Sequence, residues 1–134
     1  MRHSCCLLIA VVVSNVIALP GCGAANYPTT DLKGTVTVNG IPVAKGGITF
    51  TPLTESHGKG VFAFVVEGQY EAKKVAVGGT RVFFTLVKET GRTMEVSKIK
   101  MPETVDLVPP KYQHGMDIEV HSGEARRDFE LVSQ

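Results

Sequence analysis

The chain has 134 residues, enough for one domain with a single core, and 14 basic against 13 acidic side chains leave a formal charge of +1. That balance argues against nucleic acid as a partner, because a polyanion-binding face shows as an excess of Lys and Arg. Two of the three cysteines sit in an N-terminal apolar run, so no disulfide framework is available and the core must hold the fold.

The first element is a stretch of fifteen uncharged residues, Cys5 to Leu19, preceded by Arg2 as the only fixed positive charge. A basic start followed by an apolar core of this kind forms a secretory signal. It falls short of the roughly 20 apolar residues a spanning helix needs, and Pro20-Gly21 closes it abruptly. Leu19-Pro20-Gly21-Cys22 resembles the lipobox of bacterial lipoproteins. The resemblance implies a diacylglyceryl thioether on Cys22, cleavage after Gly21 and an acylated new amino terminus. The expected organisation is a signal peptide over 1–21, a flexible tether over 22–31 that begins at lipidated Cys22, and a folded domain over 32–134. Such a protein is held on a membrane of the cell envelope, facing the periplasm or the cell surface.

Removing 21 of the 134 residues leaves 113, and with Arg2 gone 13 basic side chains balance 13 acidic ones. Cys5 and Cys6 leave with the signal, and Cys22 is spent on lipid, which excludes thiol catalysis. The stretch Gly23–Asp31 (GAANYPTTD) reads as a tether; fully extended it reaches about 30 Å at roughly 3.3 Å per residue.

From Lys33 onward the apolar period is two, as in half-buried strands. Thr35–Val38 alternates before Asn39-Gly40, a two-residue hairpin signal. Ile48 and Phe50 alternate with threonines until Pro52. Phe62, Phe64 and Val66 share one face of the next strand, and Val82, Phe84 and Leu86 one face of another, so Phe64 and Phe84 are both expected inside. Both faces of Val61–Val66 and Val82–Val87 are apolar, which predicts central strands. Thr93–Lys100 fits either a strand or one helical turn. Pro102, Pro109 and Pro110 predict an irregular crossover over 101–111. Met116–Val120 and Phe129–Leu131 close the chain as alternating strands. Six or seven short strands punctuated by turns every 8–12 residues predict an all-β sandwich.

Gly34-Thr-Val-Thr-Val-Asn-Gly-Ile-Pro-Val43 and Gly47-Ile-Thr-Phe-Thr-Pro52 together resemble the opening of carboxypeptidase-regulatory-like domains. Glu67-Gly-Gln-Tyr70 matches the G-x-Y that introduces their next strand, and Gly78-Gly79 with Val82–Val87 the element after it. Pro110-Lys-Tyr112, Ile118–Val120 and Phe129–Leu131 resemble the tail of the short lipoprotein version abundant in planctomycete bacteria. His114-Gly-Met116 departs from the Ser/Thr-rich turn usual there. The resemblance implies a single transthyretin-like β-sandwich of about seven strands. It implies no enzyme, because every matching residue is a glycine, a proline or a core residue.

No catalytic set assembles from the sequence. His57, His114 and His121 lack the second His or Cys at three to five residues that compact metal motifs require. Asp117 with Glu119 and Asp128 with Glu130 each share a strand face, and on adjacent strands would build a small acidic patch. No calcium loop, nucleophile elbow or phosphate-binding glycine loop accompanies them. Tyr27, Tyr70 and Tyr112 are the only candidates for a sugar platform. The expectation is no catalytic, cofactor-binding or metal residue, with Cys22 as the one functional site. Expected partners are the membrane, through the lipid on Cys22, and an envelope protein or glycan. A structural or protein-interaction module calls for a long unpaired strand edge, whereas a carbohydrate- or small-ligand-binding module calls for exposed aromatics.

Overall fold

The computed structural model describes residues 26–133; the apolar run and Cys22 lie outside the described residues. Nine strands follow one another: β1 Thr29–Val38, β2 Ile41–Pro42, β3 Lys45–Pro52, β4 Val61–Val66, β5 Gln69–Ala76, β6 Gly78–Val96, β7 Ile99–Asp106, β8 Met116–Val120 and β9 Phe129–Leu131. They form one sheet in the order β2-β1-β5-β4-β3-β6-β7, with β8 beside β6 and β9 beside β1. Every pairing is antiparallel except β1 with β9. The all-β class expected from the alternation is what the chain adopts. Its strand β1 begins at Thr29, inside the stretch read as tether.

The sheet curls so that its two halves face each other. Phe129 of β9 meets Phe50 of β3 and Phe84 of β6 at ring-centroid distances of 6.1 and 5.4 Å, and Tyr70 of β5 lies 5.9 Å from Phe50. Leu32, Val36, Ile48, Val82, Leu86 and Leu131 fill the space around these rings and are fully buried. Burial of such side chains contributes about 1.5–3 kcal/mol each. Two residues secure one contact between the halves. Gly34 lets β1 approach the Arg127 carbonyl so closely that a Cβ would collide with it. The buried Tyr70 hydroxyl donates to that same carbonyl at 2.6 Å.

The Asn39-Gly40 turn has φ values of 51° and 79°, the paired left-handed conformation of a tight hairpin. Asn39 also ties down the chain end: its amide donates to the Ser133 hydroxyl at 2.7 Å and its carbonyl oxygen accepts from the Ser133 N–H at 2.9 Å.

Two expectations need correction. In β4 the inward residues are Ala63 and Val65, whereas Phe62, Phe64 and Val66 point out, Phe64 being 74% exposed. Both faces of this strand are apolar, so its period cannot choose between them, and pairing with β3 decides. Ile48, locked inside, stands opposite Ala63, and Gly47 stands opposite Phe64. The ring of Phe62 lies over Gly47, in the space a side chain there would occupy. β4 and β6 are interior in strand order, as expected, yet neither is covered on its outer face. The second correction concerns 93–111. Thr93–Val96 ends β6, Ser97-Lys98 is a tight turn with φ of 51° and 66°, and the predicted crossover is strand β7 as far as Asp106. Pro102 fits there because β7 is an edge strand, where a missing N–H costs no ladder bond.

Exposed carboxylates fasten the periphery. The Asp31 carboxylate accepts from the Lys74 N–H at 2.9 Å, and this bond, with the Lys73 ammonium, holds its pKa below the usual range. Asp128 is lowered by the Thr35 N–H at 2.9 Å and then by Arg126; Asp117 is lowered by the Arg81 guanidinium, 2.6 Å away. A carboxyl whose folded pKa lies below its unfolded value adds stability above the unfolded pKa and loses it as pH falls through the folded one. The melting temperature should therefore hold from pH 7 to 5 and fall below about pH 4. Thermal melts across that range check this, and a melting point that rises on acidification contradicts it.

Candidate interaction surface

The topology gives the domain two distinct ends. Thr29 pairs with Ala76, the Pro28 carbonyl accepts from the Val77 N–H at 3.0 Å, and β6 starts next to them at Gly78. Tyr27 stacks on His57 with centroids 5.3 Å apart. The chain leading back toward Cys22 therefore leaves from this proximal end. At the other end a row of cross-strand partners runs Thr35, Gln69, Val66, Lys45 and Val87 across five strands. β3 starts in this row and pairs with β6 no further than Val87.

β6 continues nine residues past the row, and β7 returns alongside it, so the two project from the distal end as a two-stranded arm. The seven β7 residues beyond the row, 99–105, set its reach at about 24 Å. The arm is bulged where Thr90, Gly91 and Arg92 oppose the single residue Glu103. Beyond the bulge, Met94 stands opposite Met101 and Val96 opposite Ile99. Directly paired residues share a face, and so do residues two apart. These four side chains thus form one apolar face, each between 46% and 64% exposed. Glu95 and Lys100 pair on the other side. Val105 extends the apolar row along β7; its partner Lys88 lies in step with Leu86 and Phe84 on β6, which face the core. The apolar face of the arm therefore continues the core-facing side of the sheet past its root, where Val38, Asn39, Ile41 and Pro42 line an apolar cavity of about 280 Å³ together with Val87, Lys88 and Leu107.

A second apolar area lies on the outer sheet face. Phe62 and Phe64 meet edge to face with centroids 4.9 Å apart and interplanar angle 89°, next to exposed Val66; Phe83 stands on the same face two strands away. Beside Phe64, an open depression of about 590 Å³ is lined by Lys33, Thr35, Gln69, Glu71 and Arg126. Cations and carboxylates mix there without converging on one point. β4 pairs with β5 only through Val65 and Val66, which leaves the Val61–Phe64 edge on that side without a strand partner among the described residues.

The other residues singled out in the sequence are dispersed. His57 sits in a 3-10 turn and His121 follows β8, both at the proximal end, while His114 follows the turn Pro110–Tyr112. No imidazole is hydrogen-bonded to a carboxylate, and no three metal-capable side chains cluster among the described residues. The acidic patch does not form, because β8 pairs with β6 and β9 with β1. Tyr70 is buried, its hydroxyl pKa pushed up chiefly by desolvation. Tyr112 packs its ring edge to face on Phe84, with centroids 6.4 Å apart, so neither tyrosine serves a sugar platform. Sequence reading leaves Thr93–Lys100 open between a strand and a helical turn and, from Pro102, Pro109 and Pro110, makes 101–111 a crossover; the signal for the arm is the alternation of Met94, Val96, Ile99 and Met101 around Ser97-Lys98. The chain matches no protein-family model, no curated protein and no solved structure.

Proposed function

We propose that this chain is a lipid-anchored, non-catalytic β-sandwich of the carboxypeptidase-regulatory-like kind, serving as a protein-interaction module of the cell envelope. The single observation that carries this reading is the arm. A two-stranded ribbon is marginal in water on its own, and this one presents four large apolar side chains at the end of the domain opposite the anchor. The lipobox-like Leu19–Cys22 supports the anchor, and the shared grip of Gly34 and Tyr70 on Arg127 supports the family likeness. The scattered histidines support a non-catalytic role.

The exposed Phe62–Phe64 pair is the observation that favours the alternative, a carbohydrate- or small-ligand-binding module. Two phenyl rings at 89° offer no flat platform for a sugar ring, and the polar side chains beside Phe64 do not converge on one point, so protein contact is the stronger reading. Crosslinking in the native envelope, followed by identification of what is captured, tests it. The wild-type chain should yield protein adducts that a Met94→Glu, Ile99→Glu variant loses. Adducts unchanged in that variant would refute the role of the arm, and retention on a glycan matrix through Phe62 and Phe64 would favour the alternative.

A further inference from the structure

The geometry points to a small-ligand site at the root of the arm, whose ligand is a medium-chain fatty acid with its chain in the cavity and its carboxylate on Lys88. This inference goes beyond the interaction-module reading and depends on neither the anchor nor the tip of the arm. The Asn39-Gly40 turn folds β2 back beside the last residues of β1. The Leu107 N–H donates to the Leu86 carbonyl at 2.9 Å and holds the segment after β7 against β6. Between the two lies the cavity of about 280 Å³, with Val38, Ile41, Pro42 and Leu107 among its apolar walls and Asn39 and Lys88 as its polar side chains. The hairpin wall is rigid, because Pro42 and the left-handed turn fix its backbone and both ends of the Asn39 amide are bonded to Ser133. A preformed concave site, mostly apolar with one or two polar groups, suits a small molecule.

The walls select an apolar body and the charge selects an anion. Ile41 is 70% exposed, so a chain entering the cavity takes apolar surface out of water. Lys88 stands on the same side of β6 as Leu86 and Phe84, lines the cavity and is itself exposed. That is how a lysine borders an apolar space with its stem and keeps its ammonium in water. The carboxylates nearby are engaged elsewhere. Glu89 pairs with Lys45 at 3.0 Å, Asp106 accepts from the Val108 N–H at 2.8 Å, and Glu103 accepts from the Thr90 hydroxyl at 2.6 Å. Lys88 makes no ion pair among the described residues. With the Asn39 amide committed to Ser133, Lys88 is the group left to orient a ligand, and it attracts an anion and repels a cation. Volume sets the size. At roughly 30 Å³ for a group as large as water, the cavity takes about nine non-hydrogen atoms, an eight-carbon chain and not the two long chains of a membrane phospholipid.

The test uses the full chain reconstituted into vesicles of zwitterionic phospholipid, with radiolabelled octanoate as probe in equilibrium dialysis and protein-free vesicles as background. One octanoate should bind per chain and saturate, and 1-octanol should displace it only at a concentration ~tenfold above that of unlabelled octanoate. Lys88→Gln should weaken octanoate binding about tenfold and remove that preference. Ile41→Glu, which places an anion at the mouth, should abolish binding. Both positions are exposed, so both variants should melt with the wild type. The Met94→Glu, Ile99→Glu variant should bind octanoate as the wild type does, which separates this site from the role of the arm; loss of binding there would move the site onto the arm and refute the cavity. No saturable binding, or binding that survives both Lys88→Gln and Ile41→Glu, would sink the proposal. Equal displacement by octanol and octanoate would deny Lys88 its part and overturn it as well. Loss of octanoate binding on adding anionic phospholipid to the vesicles would make a membrane lipid the occupant and contradict the fatty-acid assignment.

Discussion

Truncating Phe84 to Ala is expected to cost about 3–5 kcal/mol, a large share of the 5–15 kcal/mol a domain of this size has. Phe84 is 8% exposed and packs against Phe129 and Tyr112, and the void left by its ring would open between the two halves of the sheet. No disulfide is there to hold those halves together. The same truncation at Phe64 should change stability by no more than about 0.5 kcal/mol, since its ring stands outside the core. Chemical denaturation of the two variants side by side measures the contrast. A Phe64→Ala variant as damaged as Phe84→Ala would mean that β4 presents its other face to the core.

The change with the largest effect on location is Cys22→Ser. Each buried CH₂ contributes about 0.8 kcal/mol, so one acyl chain binds marginally and two or three attach the protein durably. The wild-type chain should label with fatty acid, partition into detergent and stay with membranes through a high-salt wash. The serine variant should lose the label and retain its signal segment, detected as a higher mass. An unchanged mass and an unchanged label would contradict lipidation at Cys22.

The sequence conveyed the strands better than their orientation. Alternation located β1, β3, β8 and β9 because each has one polar face, and Asn39-Gly40 announced its turn through the left-handed backbone it adopts. β4 was legible as a strand and not as a surface. Val61–Val66 is apolar throughout, and its phase is settled by a long-range partner, Ile48 opposite Ala63, that no local pattern contains. The arm was illegible for a different reason. Pro102 and the bulge at Thr90–Arg92 interrupt the period, and Ser97-Lys98 makes the tight turn without the glycine that usually signals it. The anchor expected at Leu19–Cys22 rests on composition and order alone and lies outside the described residues. The exposed apolar face of the arm was not legible, because exposure of Met94 or Ile99 depends on where the opposite half of the sheet ends.

We propose, as the central claim, that membrane attachment and docking surface occupy opposite ends of one domain. β6, at 19 residues with a bulge at 90–92, spans about 55 Å from the proximal end to the tip of the arm. The most direct measurement places a fluorophore at Asn26→Cys or at Lys98→Cys in the lipidated protein, reconstituted into vesicles whose lipids carry a short-range quencher. The account predicts strong quenching at position 26 and none at position 98. Quenching at position 98 as strong as at position 26 would contradict it, by placing the arm in the bilayer rather than at the far end from it.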